Sequence, residues 1–97
     1  MQHYAPRVVY YKLGEVSIGT ILADKLSYFS RWVQRRYWLD SSVQTLQVTA
    51  NGRKIRFEYG FRVSRSDKSL SGRAYVVLGL IRQAGAIKII EEGGAVI

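Results

Sequence analysis

The dipeptide Asn51-Gly52 constrains this chain more than any other feature of its sequence. It lies between two stretches in which apolar and polar residues alternate. Asn-Gly is the pair that most readily takes the two positive φ angles of a tight hairpin turn. A two-residue turn there pairs Ala50 with Arg53, Val48 with Ile55, Leu46 with Phe57 and Gln44 with Tyr59 on one face. The other face then pairs Thr49 with Lys54, Gln47 with Arg56 and Thr45 with Glu58. Apolar residues sort to one side, so turn chemistry and pattern agree. The second strand is expected to run on through Phe61 and Val63.

The other elements are placed around this hairpin. Arg7 to Leu13 is β-branched and aromatic and reads as a strand, with Pro6 before it. Gly14 and Glu15 break it. A helix then starts near Ser17 or Thr20, either of which can cap it. Ile18, Leu22, Leu26, Phe29 and Val33 form its apolar stripe, widened by Ile21 and Trp32. Asp24, Ser27, Arg31, Gln34 and Arg35 fall opposite, and Asp40-Ser41-Ser42 ends the stretch. Ser64 to Ser69 reads as a polar loop. A second helix is expected to start between Asp67 and Ser71, with Leu70, Ala74, Val77, Ile81 and Ala84 buried and Gly85 just past its end. Ile87 to Ile90 reads as a strand, Glu91 to Gly94 as a turn, and Ala95 to Ile97 as a strand pairing back.

The expected fold class is therefore α+β. It is a small single domain over 1–97, an antiparallel hairpin or sheet packed by two helices in the order β-α-β-β-α-β. That order matches ferredoxin-like domains. Ninety-seven residues make about one domain, and an apolar fraction of 47 % supplies a core and argues against disorder.

Charge gives the first functional lead. Fifteen Lys and Arg stand against seven Asp and Glu, a net charge of +8. Such an excess draws anions, nucleic acid above all, then an anionic membrane or an acidic protein. No cysteine is present, which excludes disulfides, thiol catalysis and Cys-ligated zinc. No apolar run approaches the ~18 residues of a membrane span, and the first residues lack the apolar core of a signal peptide. A cytoplasmic protein with no membrane partner is the expectation.

Catalytic chemistry finds little support. His3 is the single histidine and lies in the terminus. The carboxylates Glu15, Asp24, Asp40, Glu58, Asp67, Glu91 and Glu92 are scattered, whereas a two-metal site needs convergence. Glu91 and Glu92 are adjacent, but strand neighbours point to opposite faces, and they read as turn residues. No phosphate-binding glycine motif occurs. Neither a cofactor nor a metal is expected. One enzyme class survives: a metal-independent ribonuclease or toxin-like enzyme with Glu58 as base among Lys54, Arg56 and Arg62. A cross-strand charge balance explains the same residues.

The positive charge concentrates between Arg53 and Arg73, where seven basic residues face only Glu58 and Asp67. Lys54, Arg56 and Arg62 share a strand face. Arg65, Lys68 and Arg73 lead into the expected second helix, whose N-terminus favours phosphate, and Ser71 adds a hydroxyl. A second cluster, Arg31 to Trp38, carries Arg35 and Arg36 beside aromatic rings suited to stacking on bases.

The residues Ser71-Gly72-Arg73-Ala74-Tyr75, then Leu78, Ile81, Gly85 and Ile87, and then a turn at Glu92-Gly93-Gly94, resemble the end of a winged-helix DNA-binding domain. The resemblance covers residues 70–97. It implies a recognition helix followed by a wing, with Lys68, Ser69, Ser71, Arg73 and Tyr75 facing the major groove. The functional expectation is a small DNA-binding regulator or architectural factor, DNA ahead of RNA, acting as a homodimer. Its nucleic-acid contacts are Arg35, Arg36, Lys54, Arg56, Arg62, Arg65, Lys68, Ser71, Arg73 and Tyr75. The alternatives are the ribonuclease and a virus- or plasmid-encoded factor that binds protein.

Overall fold

A computed structural model describes residues 3–97. Its strands are β1 (Tyr4–Tyr10), β2 (Glu15–Ser17), β3 (Gln34–Leu39), β4 (Gln44–Val48), β5 (Gly52–Arg65), β6 (Lys68–Gln83) and β7 (Ala86–Val96). One α-helix, α1 (Ile18–Arg31), lies between β2 and β3. All strands join one sheet in the order β2-β1-β7-β6-β5-β3, and β4 continues the β3 edge along the other half of β5. Every pairing is antiparallel except β1 with β7.

The expected two-helix β-α-β-β-α-β fold is therefore wrong, and the error centres on residues 68–83. They form β6, the longest strand, where a buried helix was expected. A run that is apolar on all sides fits a buried helix or a central strand equally well by periodicity. Here Tyr75-Val76-Val77 favours the strand, Gly72 and Gly79 weaken a helix, and β5 and β7 flank the segment on both sides. Two-residue turns frame it. Arg65 pairs with Lys68 across Ser66-Asp67, and Gln83 pairs with Ala86 across Ala84-Gly85. Ala84 (φ 52°) and Gly85 (φ 78°) both take positive φ, as a primed hairpin turn requires. Gly85 thus ends a strand, not a helix. Without a recognition helix and with β7 continuous through Glu91–Gly94, the winged-helix resemblance also fails.

Asn51-Gly52 does lie in a hairpin, but not the expected one. Val48 pairs with Arg53 and Gln47 with Lys54, and a bulge at Leu46 lets Thr45 pair with Ile55 and Gln44 with Arg56. The loop is Thr49–Gly52, closed by Thr49 N–H donating to the Gly52 carbonyl at 2.9 Å. Neither Asn51 nor Gly52 has positive φ. Gly52 serves closeness instead: a Cβ there would lie 2.1 Å from the Leu80 carbonyl oxygen of β6. The partner strand β6 therefore fixed the register that turn chemistry alone placed two residues away.

The first strand starts earlier than expected, at Tyr4, and Tyr11–Leu13 is a short 3-10 turn. The helix starts where expected, with Ser17 at its N-cap position, but it ends at Arg31. Gln34 to Leu39 form strand β3 instead of continuing it, and the buried stripe of the helix is rotated. Ile21, Lys25, Tyr28 and Trp32 turn inward, while Leu22, Leu26, Phe29 and Val33 stay exposed. Among the described residues no helix is long and apolar enough to cross a membrane.

Candidate ligand cavity

Strand alternation divides the sheet into two faces. On β5, Phe57, Tyr59, Phe61 and Val63 face α1, while Lys54, Arg56, Glu58 and Arg62 face outward. The inner face does not close into one core. One cluster joins Trp32 to Phe61, Val63 and Ala74, with Tyr28 and Tyr59 against it. Another joins Ile21 to Val8 and Tyr10, with Tyr4 and Val16 against it. Between them lies an open cavity of about 1170 Å³. Tyr11, Tyr28, Tyr37, Phe57, Tyr59 and Phe61 supply much of its wall.

One end of the cavity is polar. Glu92, from the middle of β7, is the single buried charged residue among those described, 6 % exposed. The Tyr4 hydroxyl donates to its Oε1 at 2.5 Å, and the Tyr11 hydroxyl donates to Oε2 at 2.9 Å. Lys25 Nζ also donates to Oε2 at 2.9 Å. A buried carboxylate requires such partners, and these come from β1, the 3-10 turn and α1. Beside them the Tyr10 hydroxyl donates to Asp24 Oδ2 at 2.7 Å, and Lys25 Nζ sits 5.5 Å from the Tyr10 ring centre. Further along, the Tyr28 and Tyr37 hydroxyls are 2.9 Å apart.

Burial pushes the phenols of Tyr4, Tyr10, Tyr11, Tyr37 and Tyr59 above the ordinary tyrosine range. Tyr4 and Tyr11 are raised further by their bonds to Glu92 and its charge, Tyr10 by Asp24, and Tyr37 by Tyr28. These hydroxyls therefore stay neutral donors at physiological pH. Asp24 is exposed to the cavity and gives one oxygen to Tyr10, which leaves the other for a bound molecule. Among the described residues no group of three His, Asp or Glu side chains is arranged to hold a metal ion.

The residues expected to contact nucleic acid lie mostly elsewhere. Arg35 donates to the carbonyls of Phe29 and Trp32 and stacks 4.2 Å from the Phe29 ring centre, closing the C-terminus of α1. Lys54 pairs with Glu91 at 3.2 Å, and Arg56 pairs with Glu58 at 3.1 Å while lying 4.8 Å from the Tyr75 ring centre. Arg73 bonds Asp40 and Glu58, and Arg65 bonds Asp67 at 3.3 Å. Lys68 stands opposite Arg65 at the β5–β6 turn, and Ser71 opposite Arg62. Arg36 and Arg62 face each other on the outer face. Glu58, the expected ribonuclease base, is held by two arginines, and its backbone N–H donates to Ser41 Oγ at 2.9 Å.

Sequence reading missed the cavity residues. The sequence reading places Glu92 in a turn and Tyr10 and Tyr11 in a plain strand, and gives Tyr4 and Lys25 no role. The available signal was alternation: Glu91 and Glu92 do point to opposite faces, Glu91 to Lys54 outside and Glu92 inward.

No protein-family model matches this sequence, and no curated protein matches it. Solved structures do match its fold. A protein provisionally named a ketosteroid isomerase from Shewanella frigidimarina superposes with TM-score 0.75 at 20 % identity, over 97 % of this chain and 77 % of its own. A hexachlorocyclohexane dehydrochlorinase from Novosphingobium barchaimii gives TM-score 0.76 at 12 % identity, over 96 % and 67 %. The benzoate 1,2-dioxygenase beta subunit from Burkholderia mallei gives 0.71 at 13 % identity, over 99 % and 74 %. The shared architecture is the NTF2-like fold. This overturns the expectation of a DNA-binding regulator: the segments expected as recognition helix and wing are the strands β6 and β7, and the chains that share this fold include enzymes.

Proposed function

We propose that this domain binds a small, largely apolar, ring-bearing organic molecule in the cavity between α1 and the inner sheet face. The supporting observation is the cavity itself, about 1170 Å³ with a wall rich in aromatic rings, ending in the Glu92–Lys25–Tyr4–Tyr11 cluster. An apolar pocket with a few convergent polar groups is the common form of a small-molecule site. The rings offer stacking surface to the body of the ligand. Lys25 has donor capacity beyond its bond to Glu92, and Asp24 has a free oxygen, so a ligand carbonyl, hydroxyl or carboxylate finds partners beside the Tyr10–Tyr11 corner.

An enzymatic form of this reading is proton transfer. Glu92 already accepts three hydrogen bonds, which occupy both of its oxygens. Asp24 accepts one and keeps an oxygen open to the cavity, so it is the candidate proton acceptor, with Lys25 and neutral phenols to stabilise negative charge on the ligand. The isomerase and dehydrochlorinase names of two fold neighbours agree with such chemistry.

Binding is tested by titrating the ¹⁵N-labelled protein with small aromatic and polycyclic ketones and carboxylates. Saturable shifts should concentrate at Tyr11, Lys25, Tyr59, Val76 and Glu92, and Val76→Trp, which fills the cavity, should remove them. Shifts spread over the outer face, or none with any compound, would sink the proposal.

A further inference from the structure

The outer face of the sheet carries a tile with no negative charge. Its first row runs across β3, β5 and β6 as Arg36, Arg62 and Ser71, and the next row as Gln34, Ser64 and Ser69. Residues two apart on a strand share a face, so both rows look outward. Ser64 donates to Gln34 Oε1 at 3.0 Å, which leaves the Gln34 amide N–H groups free. A hollow of about 240 Å³ lies among Gln34, Arg35, Arg36, Arg62 and Ser64.

The arginines of this tile differ from the other cations on the same face. Lys54, Arg56 and Arg73 each reach a carboxylate, and Arg73 is drawn away from the tile towards Asp40 and Glu58. Arg36 and Arg62 have no ion pair or hydrogen-bonded partner for their side chains among the described residues, and both are exposed. Yet they stand directly opposite one another, an arrangement in which like charges repel. Protection of the edge strand β3 accounts for Arg36. It does not account for Arg62, which sits on the interior strand β5.

We infer that this tile binds a doubly charged tetrahedral oxyanion, a phosphate group, held between the guanidinium groups of Arg36 and Arg62 with Gln34 and Ser71 as further donors. Cross-strand neighbours have Cβ atoms only about 4.5–5.5 Å apart, so both guanidinium groups reach one anion. Arginine suits this geometry because its N–H groups form paired, charge-assisted bonds to oxyanions. The anion converts the repulsion into a bridge. The site lies across the sheet from the cavity and stands whether or not the cavity binds its own ligand.

The test is calorimetric and NMR titration with inorganic phosphate and with phenyl phosphate at constant ionic strength. One-to-one saturation is expected, with amide shifts at residues 34–36, 62–64 and 69–71. Arg36→Gln and Arg62→Gln should each weaken binding tenfold or more, while Arg53→Gln, a free arginine at the other end of β5, leaves it unchanged. Melting separates this from a folding defect. Without phosphate the two tile variants should melt no lower than the parent, and with phosphate only the parent should gain. Equal affinities for the two probes identify free phosphate as sufficient, and tighter phenyl phosphate identifies an ester. Shifts that never saturate, or an equal loss in Arg53→Gln, would overturn the inference.

Discussion

Lys25 Nζ lies 2.9 Å from Glu92 Oε2, and this contact ties the middle of α1 to the middle of β7 across 67 residues of sequence. The two ends differ in exposure: the Glu92 side chain is 7 % exposed and that of Lys25 is 30 %. The carboxylate therefore bears most of the desolvation cost, and its partners are what make its burial tolerable.

Glu92→Gln keeps the shape and removes the charge. It leaves Lys25 without its anion and forces at least one donor to lose its acceptor. We expect a loss of about 1–3 kcal/mol in urea unfolding with the m-value unchanged. Tyr11→Phe, which removes a single donor, should cost less. In the Lys25→Met/Glu92→Gln double variant the loss should fall short of the sum of the single losses. Strict additivity would show that the pair is not coupled.

The raised phenols predict a specific alkaline behaviour. A group whose folded pKa exceeds its unfolded value contributes stability that is complete below the unfolded value and fades above it. Unfolded tyrosines ionise near pH ~10. Stability should thus hold up to about that pH and fall beyond it, as Tyr4, Tyr10, Tyr11, Tyr37 and Tyr59 keep their protons only while folded. Ultraviolet titration should show these five ionising together with unfolding. Full phenolate absorbance in a folded protein at pH ~10 would contradict this.

Gly93 and Gly94 are neighbours with opposite requirements. A Cβ on Gly94 (φ 151°) would lie 2.1 Å from the Tyr75 carbonyl oxygen, whereas one on Gly93 meets nothing within 4 Å. Gly94→Ala should cost about 2 kcal/mol or more. Gly93→Ala should be neutral or gain up to about 1 kcal/mol, since alanine loses less chain entropy in a strand. Thermal or denaturant melts decide it, and equal effects would be the wrong result.

Ala84 holds φ 52° in the β6–β7 turn, a costly angle for a residue with a Cβ. Ala84→Gly or Ala84→Asn should stabilise the protein by about 0.5–1 kcal/mol, read as a higher melting temperature.

Legibility followed locality. Alternation exposed β5, and 3.6-residue spacing exposed α1, because each signal is carried by residues a few positions apart. The face of α1 was misread because Leu22, Leu26 and Phe29 look like a core stripe, while the helix instead turns Lys25 and Tyr28 towards the sheet. For β6 the pattern was ambiguous, and the deciding facts are its neighbours β5 and β7. The same holds for Asn51-Gly52, whose turn preference yielded to the approach of Gly52 to Leu80. The candidate site was least legible. Tyr4, Lys25 and Glu92 meet only through pairings of high sequence separation, and charge drew attention to the outer face. There the sequence singles out Arg36 and Arg62 by charge, without the cross-strand pairing that sets them opposite one another.

The parallel pairing of β1 with β7 carries a further consequence, in time rather than space. Tyr4 stands opposite Ile89, and Tyr10 opposite Glu92. The β5–β6–β7 meander closes through short turns and can form early, since nearby contacts are the fastest to make. The first strand has a nearby partner on one edge only, the three-residue β2. During synthesis its other edge must wait, unpaired, until β7 has left the ribosome. The polar end of the cavity, which draws on β1, the 3-10 turn, α1 and β7, can then assemble only after the meander it rests on.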